Sequence, residues 1–245
     1  MIFDSREITR LRAIAWPPET DSGPIEARQL TRTMEGHLIL NRINVTIAAG
    51  EIVALLGANG AGKTTLLRSL AGRLRPSAGQ VLWYGASPRR RPASHRLVGF
   101  AGHESLLYLE LTATENLLFA ARMYGVVRPE QRVAEMLTRI GMETQARQAA
   151  GRMSRGMRQR LSLARALVHD PPIVILDEPF SGLDVGSLQW LEEWLAELRA
   201  SGRAILFTSH DEEQCLRVAD RKLELRGCRL YSTVQSVGGR LIRSA

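Results

Sequence analysis

The 245-residue sequence contains two cysteines, few aromatic side chains and no long apolar run. Cys215 and Cys228 lack the spacing of a metal site, and two cysteines in a chain of this length cannot form a disulfide framework. A helix that crosses a bilayer needs about 20 consecutive apolar residues, so no membrane span is predicted. Residues 1–18 lack the apolar stretch of a secretory signal. We therefore expect a protein that remains in the cytoplasm.

Lysine is scarce as well, although the formal net charge is +8. The cations are almost all arginine, and only Lys63 and Lys222 are lysine. A basic surface can face nucleic acid, an anionic membrane or a nucleotide, and it can also be merely solvated, so charge alone does not choose among these. Apolar residues make up 44% of the chain, which excludes a disordered protein.

Apolar patterning divides the chain into alternating strands and helices after an N-terminal tail, residues 1–24, which is broken by prolines and glycine. Strands are predicted at Ile25–Leu30, Leu38–Leu40, Asn44–Ile47, Ile52–Leu56, Gln80–Tyr84, Leu97–Phe100, Ile173–Leu176 and Ala204–Thr208, with a terminal hairpin at Leu223–Leu225 and Arg229–Tyr231. Helices are predicted after Gly62, after a capping box at Thr112–Glu115, over Val133–Ile140, after Ser154 and over Leu188–Leu198. The order predicts an α/β protein with a parallel-sheet core and an inserted helical subdomain.

A glycine-rich loop follows the buried strand Ile52–Leu56. Residues 57–64 match the pattern G-x-x-x-x-G-K-[ST] at every position: Gly57, Ala58, Asn59, Gly60, Ala61, Gly62, Lys63 and Thr64. Glycines let successive backbone N–H groups point inward at a helix N-terminus, which creates a nest for phosphate. Lys63 would contact the β- and γ-phosphates of a nucleotide, and the hydroxyl of Thr64 could bind Mg²⁺.

Two carboxylates follow a second apolar strand, Ile173–Leu176. In a parallel sheet the end of this strand lies beside the phosphate loop. Asp177 would then hold Mg²⁺, directly or through water, and Glu178 would polarise an attacking water. Two adjacent acids can also begin an ordinary solvated loop. His210 follows the last apolar strand at the same face, where a lone histidine can equally be structural.

Together these motifs resemble the nucleotide-binding subunits of ATP-binding-cassette (ABC) transporters, from about Ile25 to Tyr231. The resemblance covers the phosphate loop Gly57–Thr65, the signature-like segment Met153–Met157, the strand Ile173–Glu178, the loop Ser181–Asp184 and His210. It implies a P-loop NTPase core with a mainly parallel sheet, an N-terminal antiparallel β-subdomain and an inserted helical subdomain. The domain would span residues 25–245, with residues 25–100 and 166–245 in the core and β-subdomain and residues 101–165 in the helical subdomain.

The resemblance also implies how the site works. Thr65 joins the nucleotide-binding set, and His210 acts beside Glu178 in hydrolysis of ATP with Mg²⁺. Ser154, Arg155 and Gly156 would contact the γ-phosphate bound to a second subunit, which implies an ATP-dependent homodimer or a pair with another ATPase subunit. Transmembrane permease subunits would be the other partners, with the protein peripheral on the cytoplasmic face of the inner membrane and no nucleic-acid partner.

Three departures from the family pattern are visible. Arg155 and Met157 stand where the signature has Gly and Gln. The Gln that usually follows the strand Leu97–Phe100 and reports on Mg²⁺ is absent, which leaves His103 or Glu104 as the candidate. An aromatic residue to stack on adenine is missing near Met34, so base selectivity should be loose.

Finer features resemble the haem-exporter ATPase of cytochrome c maturation. They include Val81–Trp83, Gly102–Glu104, Leu111–Leu117 and Asp177–Phe180. Two alternatives remain: an exporter ATPase for another substrate, and a soluble ABC ATPase acting on nucleic acid or ribosomes. A degenerate module without hydrolysis is disfavoured by Lys63 and by the acids at 177 and 178.

Overall fold

The structure, a computed structural model, describes residues 23–88, 92–102 and 105–233. The predicted tail up to residue 22, His103 and Glu104 lie outside the described residues. The strands are β1 (Ile25–Met34), β2 (His37–Ile47), β3 (Ile52–Leu56), β4 (Ala78–Leu82), β5 (Val98–Ala101), β6 (Ile173–Leu176), β7 (Ala204–Thr208), β8 (Arg221–Arg226) and β9 (Arg229–Thr233). The helices are α1 (Lys63–Leu70), α2 (Ala113–Met123), α3 (Pro129–Arg139), α4 (Arg155–Leu167), α5 (Val185–Ala200) and α6 (Glu212–Val218).

The strands form two sheets. The smaller is antiparallel with the order β2-β1-β4, and the larger has the order β5-β6-β7-β3-β8-β9. Every neighbouring pair in the larger sheet is parallel except β8 and β9, which form the C-terminal hairpin. Parallel strands end at the same edge, and this edge carries the polar residues that follow β3, β6 and β7.

The larger sheet separates two apolar cores. Its central strands are buried on both faces, as their continuous apolar sequences predict. Side chains alternate between the faces. Ile52 and Ala54 of β3 lie in one core with helices α2 to α6. Val53 and Leu55 lie in the other core with α1 and the smaller sheet. The sheet edge that carries the polar residues is thereby fixed from both sides.

Two of the helices after β5, α2 and α4, begin at side-chain caps that the sequence predicts. The Thr112 hydroxyl accepts a hydrogen bond from the backbone N–H of Glu115, and the Glu115 carboxylate accepts one from the N–H of Thr112, which is the predicted capping box. The Ser154 hydroxyl caps α4 in the same way, accepting from the N–H of Met157. These caps satisfy N–H groups that the first turn of a helix leaves free.

Asn116, which is fully buried, organises the loop between β5 and α2. Its side-chain amide N–H groups donate to the carbonyls of Tyr108, Leu111 and Thr112, and its amide oxygen accepts from the N–H of Tyr108. The loop is therefore held from inside, and its apolar side chains divide between core and surface. Leu107 is buried in the core, whereas Leu106, Tyr108 and Leu109 are exposed.

Several predicted boundaries were wrong by a few residues. Strand β4 ends at Leu82 rather than Tyr84, because Tyr84 and Gly85 form a tight turn with positive φ at both residues. Helix α5 begins at Val185, because the carboxylate of Asp184 caps it by accepting from the N–H of Ser187. The spacing of apolar residues gives no indication of such a cap, because the capping residue is polar. The predicted α/β class, with an antiparallel β-subdomain, a mainly parallel sheet and a helical insertion, is confirmed.

Candidate functional site

Residues 57–62 form the loop between β3 and α1, and Lys63 is the first residue of the helix. Lys63 is 8% exposed, and its ammonium donates to the carbonyl oxygens of Gly57, at 2.7 Å, and Ala58, at 3.2 Å. Gly57 has a positive φ, and a Cβ there would lie 2.6 Å from the carbonyl oxygen of Leu225. Only glycine fits this position, because the loop passes directly against β8.

Asp177 joins the phosphate loop to the sheet. It is 2% exposed, and its two carboxylate oxygens accept hydrogen bonds from different elements. One accepts from the hydroxyl of Thr64 at 2.8 Å and the other from the hydroxyl of Thr208 at 2.7 Å. Thr64 and Asp177, both candidate ligands of Mg²⁺ in the sequence, are therefore in direct contact.

Thr208 was missed by the sequence reasoning. It lies at the end of β7, and its hydroxyl also accepts a hydrogen bond from the backbone N–H of Glu178 at 2.8 Å. One buried hydroxyl therefore fixes both adjacent acids. The available signal was a hydroxyl residue at the carboxyl end of an otherwise apolar strand, beside the phosphate loop.

Glu178 and His210 face each other, with 2.9 Å between a carboxylate oxygen and the imidazole Nδ1. Glu178 has φ of +53°, a left-handed conformation that is uncommon for a residue with a side chain. Such conformations cluster at functional sites, where the surrounding structure enforces them. The His210 side chain is 72% exposed, so it can reorient towards a ligand.

Lys63, Thr64, Asp177, Glu178 and His210 line one cleft of about 510 Å³. Its walls include the phosphate loop, Asp177, Glu178, Ser181 and His210. Ile39 of β2 closes one side, while Met34 is 43% exposed near the β1–β2 turn. The cleft therefore joins an anion nest, a pair of acids and a histidine.

Ser154, Arg155 and Gly156 do not line this cleft. Ser154 caps α4, and Arg155 and Gly156 are its first two residues; Ser154 and Arg155 are exposed. The chain thus does not bring its signature-like turn to its own phosphate loop. His103 and Glu104, the alternatives for the missing Gln, lie outside the described residues. Their segment follows Ala101, whose carbonyl accepts from the N–H of Asp177 at 2.8 Å.

The side chain of Cys215 is buried. Burial raises the pKa of Cys215 to about 11, which keeps the sulfur protonated at neutral pH. Among the described residues, no group of three His, Cys, Asp or Glu side chains is placed to hold a metal ion. Nor does any described helix have the length and apolar content needed to cross a membrane.

Comparisons with known proteins give a consistent result. A family model described as "ABC transporter" matches residues 40–181, more than half of the chain. The ABC transporter ATP-binding protein NatA of Bacillus subtilis is 40% identical over 182 residues, which cover 73% of this chain and 74% of NatA. The sulfate/thiosulfate import ATP-binding protein CysA of Methylococcus capsulatus is 39% identical over 82% of this chain, which spans 60% of CysA.

Export proteins occur among the relatives too. The SkfA peptide export ATP-binding protein SkfE of Bacillus subtilis is 39% identical over 78% of this chain and 80% of its own length. A solved structure of an ATP-binding subunit of an ABC transporter matches with a TM-score of 0.79 and 30% identity, over 84% of this chain and 87% of that one. The chain therefore belongs to the ABC transporter family, as one of its ATP-binding subunits, and ATP hydrolysis is the general activity of that family.

Proposed function

We propose that this chain hydrolyses ATP in the cleft between the phosphate loop and Glu178 and that it energises a membrane exporter. The observation that carries the proposal is the convergence of Lys63, the Thr64–Asp177 pair and the Glu178–His210 pair in one cleft. These groups come from three separate loops at one edge of the sheet. A structural role alone would not require an anion nest, two acids and a histidine to share one cleft.

The backbone N–H groups of residues 57–65 would bind the phosphates, with Lys63 opposite the β- and γ-phosphates. In the present arrangement the Lys63 ammonium donates hydrogen bonds to two loop carbonyls, which hold it at the cleft in advance. Binding then exchanges carbonyl contacts for phosphate oxygens without a large movement of the side chain. The residues of this set are Gly57, Ala58, Asn59, Gly60, Ala61, Gly62, Lys63, Thr64 and Thr65.

The donors at the cleft fit Mg²⁺. This ion prefers oxygen ligands and is commonly held by one or two protein groups together with substrate phosphates. The Thr64 hydroxyl and the Asp177 carboxylate supply such oxygens and already lie 2.8 Å apart. Bound Mg²⁺ would neutralise charge that develops on the phosphates. Thr208 positions Asp177 for this role by its hydrogen bond to the second carboxylate oxygen.

Glu178 is the candidate general base. The hydrogen bond from the backbone N–H of Glu178 to the Thr208 hydroxyl and the left-handed backbone conformation of Glu178 direct its side chain into the cleft. His210 contacts the carboxylate. The carboxylate accepts the proton of the attacking water, and His210 orients the carboxylate and contacts the terminal phosphate. The domain division proposed from the sequence assigns both residues to the core, in residues 166–245.

The signature-like turn supports an ATP-dependent dimer. Because Ser154 and Arg155 are exposed and do not line their own cleft, a second copy or a related ATPase subunit could receive them against its γ-phosphate. A two-fold axis would complete both sites at once. One of the matching solved structures is described as the dimeric structure of a bacterial ABC transporter cassette, with 26% identity and a TM-score of 0.79.

An exposed apolar face is suited to a membrane subunit. We call it the docking face: Leu106, Tyr108, Leu109, Phe119 and Met123, each at least 41% exposed. The rings of Tyr108 and Phe119 contact edge to face with centroids 5.1 Å apart, so the face is preorganised. Apolar side chains gathered on a surface mark a partner site. The cytoplasmic segment of a permease subunit would cover it, with this chain peripheral at the inner face of the membrane.

Export of haem for cytochrome c maturation is the finer candidate, and it rests on the sequence features at Val81–Trp83, Gly102–Glu104 and Leu111–Leu117. The named relatives act in both directions: CysA is an importer, whereas SkfE belongs to peptide export. Direction and cargo are therefore decided by the permease that binds the docking face. Purification of the chain from detergent-solubilised membranes, followed by identification of the bound permease, tests this part of the proposal.

The chemistry is tested by a pair of variants measured side by side. Lys63→Ala should lose most ATP affinity and all turnover. Glu178→Gln should keep ATP affinity and lose about 10²- to 10⁴-fold in phosphate release, because the amide cannot accept a proton. ATP affinity of the Lys63→Ala protein equal to that of the parent, or parental turnover in Glu178→Gln, would contradict the assignment. ATPase activity stimulated by DNA or ribosomes would favour the non-transport alternative.

A further inference from the structure

The signature-like turn is hydrogen-bonded to the loop between Glu178 and Asp184, which begins at the chain's own cleft. The guanidinium Nη2 of Arg155 donates to the hydroxyl of Ser181 at 2.9 Å. Ser181 lines the cleft with Glu178 and His210, whereas Arg155 does not. One hydrogen bond thus joins a residue of the chain's own nucleotide site to a residue of the turn that serves the partner.

The contact is broader than one hydrogen bond. The Arg155 side chain lies across Gly182, where an added Cβ would come within 2.6 Å of Nε and 2.9 Å of Cδ. Gly182 has φ of +75°, so glycine is favoured there by its backbone as well. The absence of a side chain at 182 leaves the space that the arginine occupies. The match between Arg155 and Gly182 is therefore steric as well as polar.

A second contact from the same helix holds the same loop. The side-chain amide of Gln159 donates to the carbonyl of Pro179 at 2.9 Å. The loop between Glu178 and Asp184 is consequently held at two points by the first turns of α4. Within the described residues Arg155 has no carboxylate within ion-pair distance. Its contact with the loop is thus a hydrogen bond to a neutral hydroxyl rather than an ion pair.

We infer that Arg155 is a positioning residue that couples occupancy of the chain's own phosphate cleft to the readiness of its signature-like turn for the partner. This inference rests on the proposed ATP-dependent dimer. A γ-phosphate in the cleft lies beside the loop that carries Ser181. A shift of that loop moves Arg155, which is the first residue of α4 and the neighbour of the Ser154 cap. The link runs within one chain. A nucleotide bound in the cleft of one subunit therefore positions the turn of that subunit that contacts the nucleotide of its partner.

The test uses the full chain with Glu178→Gln as parent, so that ATP-bound dimers accumulate. Two quantities are measured: ATP affinity of dilute monomer, and the ATP concentration for half-maximal dimerisation in sedimentation experiments. Arg155→Met and Ser181→Ala should each raise the second quantity about fivefold or more, the scale of ordinary coupling between sites. Arg155→Met, which changes a residue outside the lining of the cleft, should leave the first quantity unchanged. Arg152→Met removes the same charge from an exposed neighbour and should match the parent.

The double variant distinguishes coupling from separate effects. If Arg155 and Ser181 act as one link, Arg155→Met with Ser181→Ala is no worse than the more impaired single variant. Additive effects of the two changes would overturn the inference, and so would parental dimerisation of Ser181→Ala. Weakened ATP binding by the Arg155→Met monomer would also overturn it. A parent that forms no ATP-dependent dimer refutes the dimer itself, which separates failure of the proposed function from failure of this link.

Discussion

The hydroxyl of Thr208 lies 2.7 Å from a carboxylate oxygen of Asp177 and also accepts the backbone N–H of Glu178 at 2.8 Å. A single atom on β7 therefore holds both the candidate Mg²⁺ ligand Asp177 and the candidate base Glu178, which follow β6. Both strands are buried and parallel, with Leu176 opposite Phe207, so the hydroxyl is aligned by sheet register. The geometry of the two acids is a property of the sheet rather than of their loop.

Thr208→Val should damage this arrangement while preserving side-chain shape. The valine cannot donate to Asp177 or accept from the N–H of Glu178, and a buried polar group left without a partner costs about 1–3 kcal/mol. We expect the free energy of unfolding to fall by that amount and phosphate release to fall more than ATP affinity. Thr208→Ser, which retains the hydroxyl, is the control. Parental turnover in the valine variant would show that Thr208 does not position the acids.

Ser154→Arg tests whether the signature-like turn acts on a second subunit. The change places a bulky cation at an exposed helix N-terminus that lies away from the chain's own cleft. We expect ATP binding to the monomer to stay near the parental value and turnover to be abolished. Titration calorimetry at low protein concentration and phosphate release at high concentration measure the two effects. Full turnover by the Ser154→Arg variant would refute the dimer. So would activity of the parent protein that stays strictly proportional to protein concentration down to concentrations at which it is monomeric.

Tyr108→Asp should release the membrane subunit. Tyr108 is 47% exposed on the docking face, so a carboxylate there disrupts an apolar interface without creating a cavity. Pull-down of the permease should weaken, while phosphate release by the isolated subunit persists. Val127→Asp is the matched control, because Val127 is also exposed but lies outside the docking face. Unchanged pull-down by the Tyr108 variant would remove this face as the docking surface.

Leu107→Asp cannot serve the same purpose, although the apolar sequence Leu106–Leu109 suggests that it could. Leu107 is 8% exposed and packs into the core with the helices. An unpaired carboxylate at such a site is strongly destabilising. The variant is expected to lose folding together with both activities, so only its exposed neighbours report on docking.

His169 should make the stability of the fold depend on pH. Its ring stacks on Tyr124 with centroids 3.7 Å apart, and burial, helped by the charges of Arg96 and Arg132 and opposed by the main chain of Val98 and by Asp170, lowers its pKa to about 4. The unfolded chain takes up a proton below about pH 6.5, which the folded chain does not. The contribution of this group is therefore complete above pH 6.5 and declines as pH falls towards 4.

The comparison variant is His169→Phe, which keeps a ring against Tyr124 and does not titrate. Between pH 7 and pH 5 the parent should lose about 2 kcal/mol of unfolding free energy more than the variant. Urea titrations at the two pH values provide the measurement. Equal losses in both proteins would show that His169 is not the titrating group.

Local signals in the sequence were sufficient for the phosphate loop and its flanks. The limits of β3, β6 and β7 follow from uninterrupted apolar residues, because strands covered on both faces have no polar face to display. The caps at Thr112 and Ser154 are equally local, since a hydroxyl and the N–H three residues later belong to one turn. Lys63, Asp177 and Glu178 could therefore be named as candidate site residues from the amino-acid sequence alone.

Contacts between distant segments were decided only by the tertiary structure. Thr208 meets Asp177 across 31 positions, and Arg155 meets Ser181 across 26, through strand register and helix docking that no local pattern records. The separation of Leu107 from Tyr108 depends on the buried amide of Asn116, which fixes how the loop turns. The sequence by itself determines which chemical groups the chain carries and which local turns and caps they form. Packing over the whole fold determines which distant residue each side chain contacts.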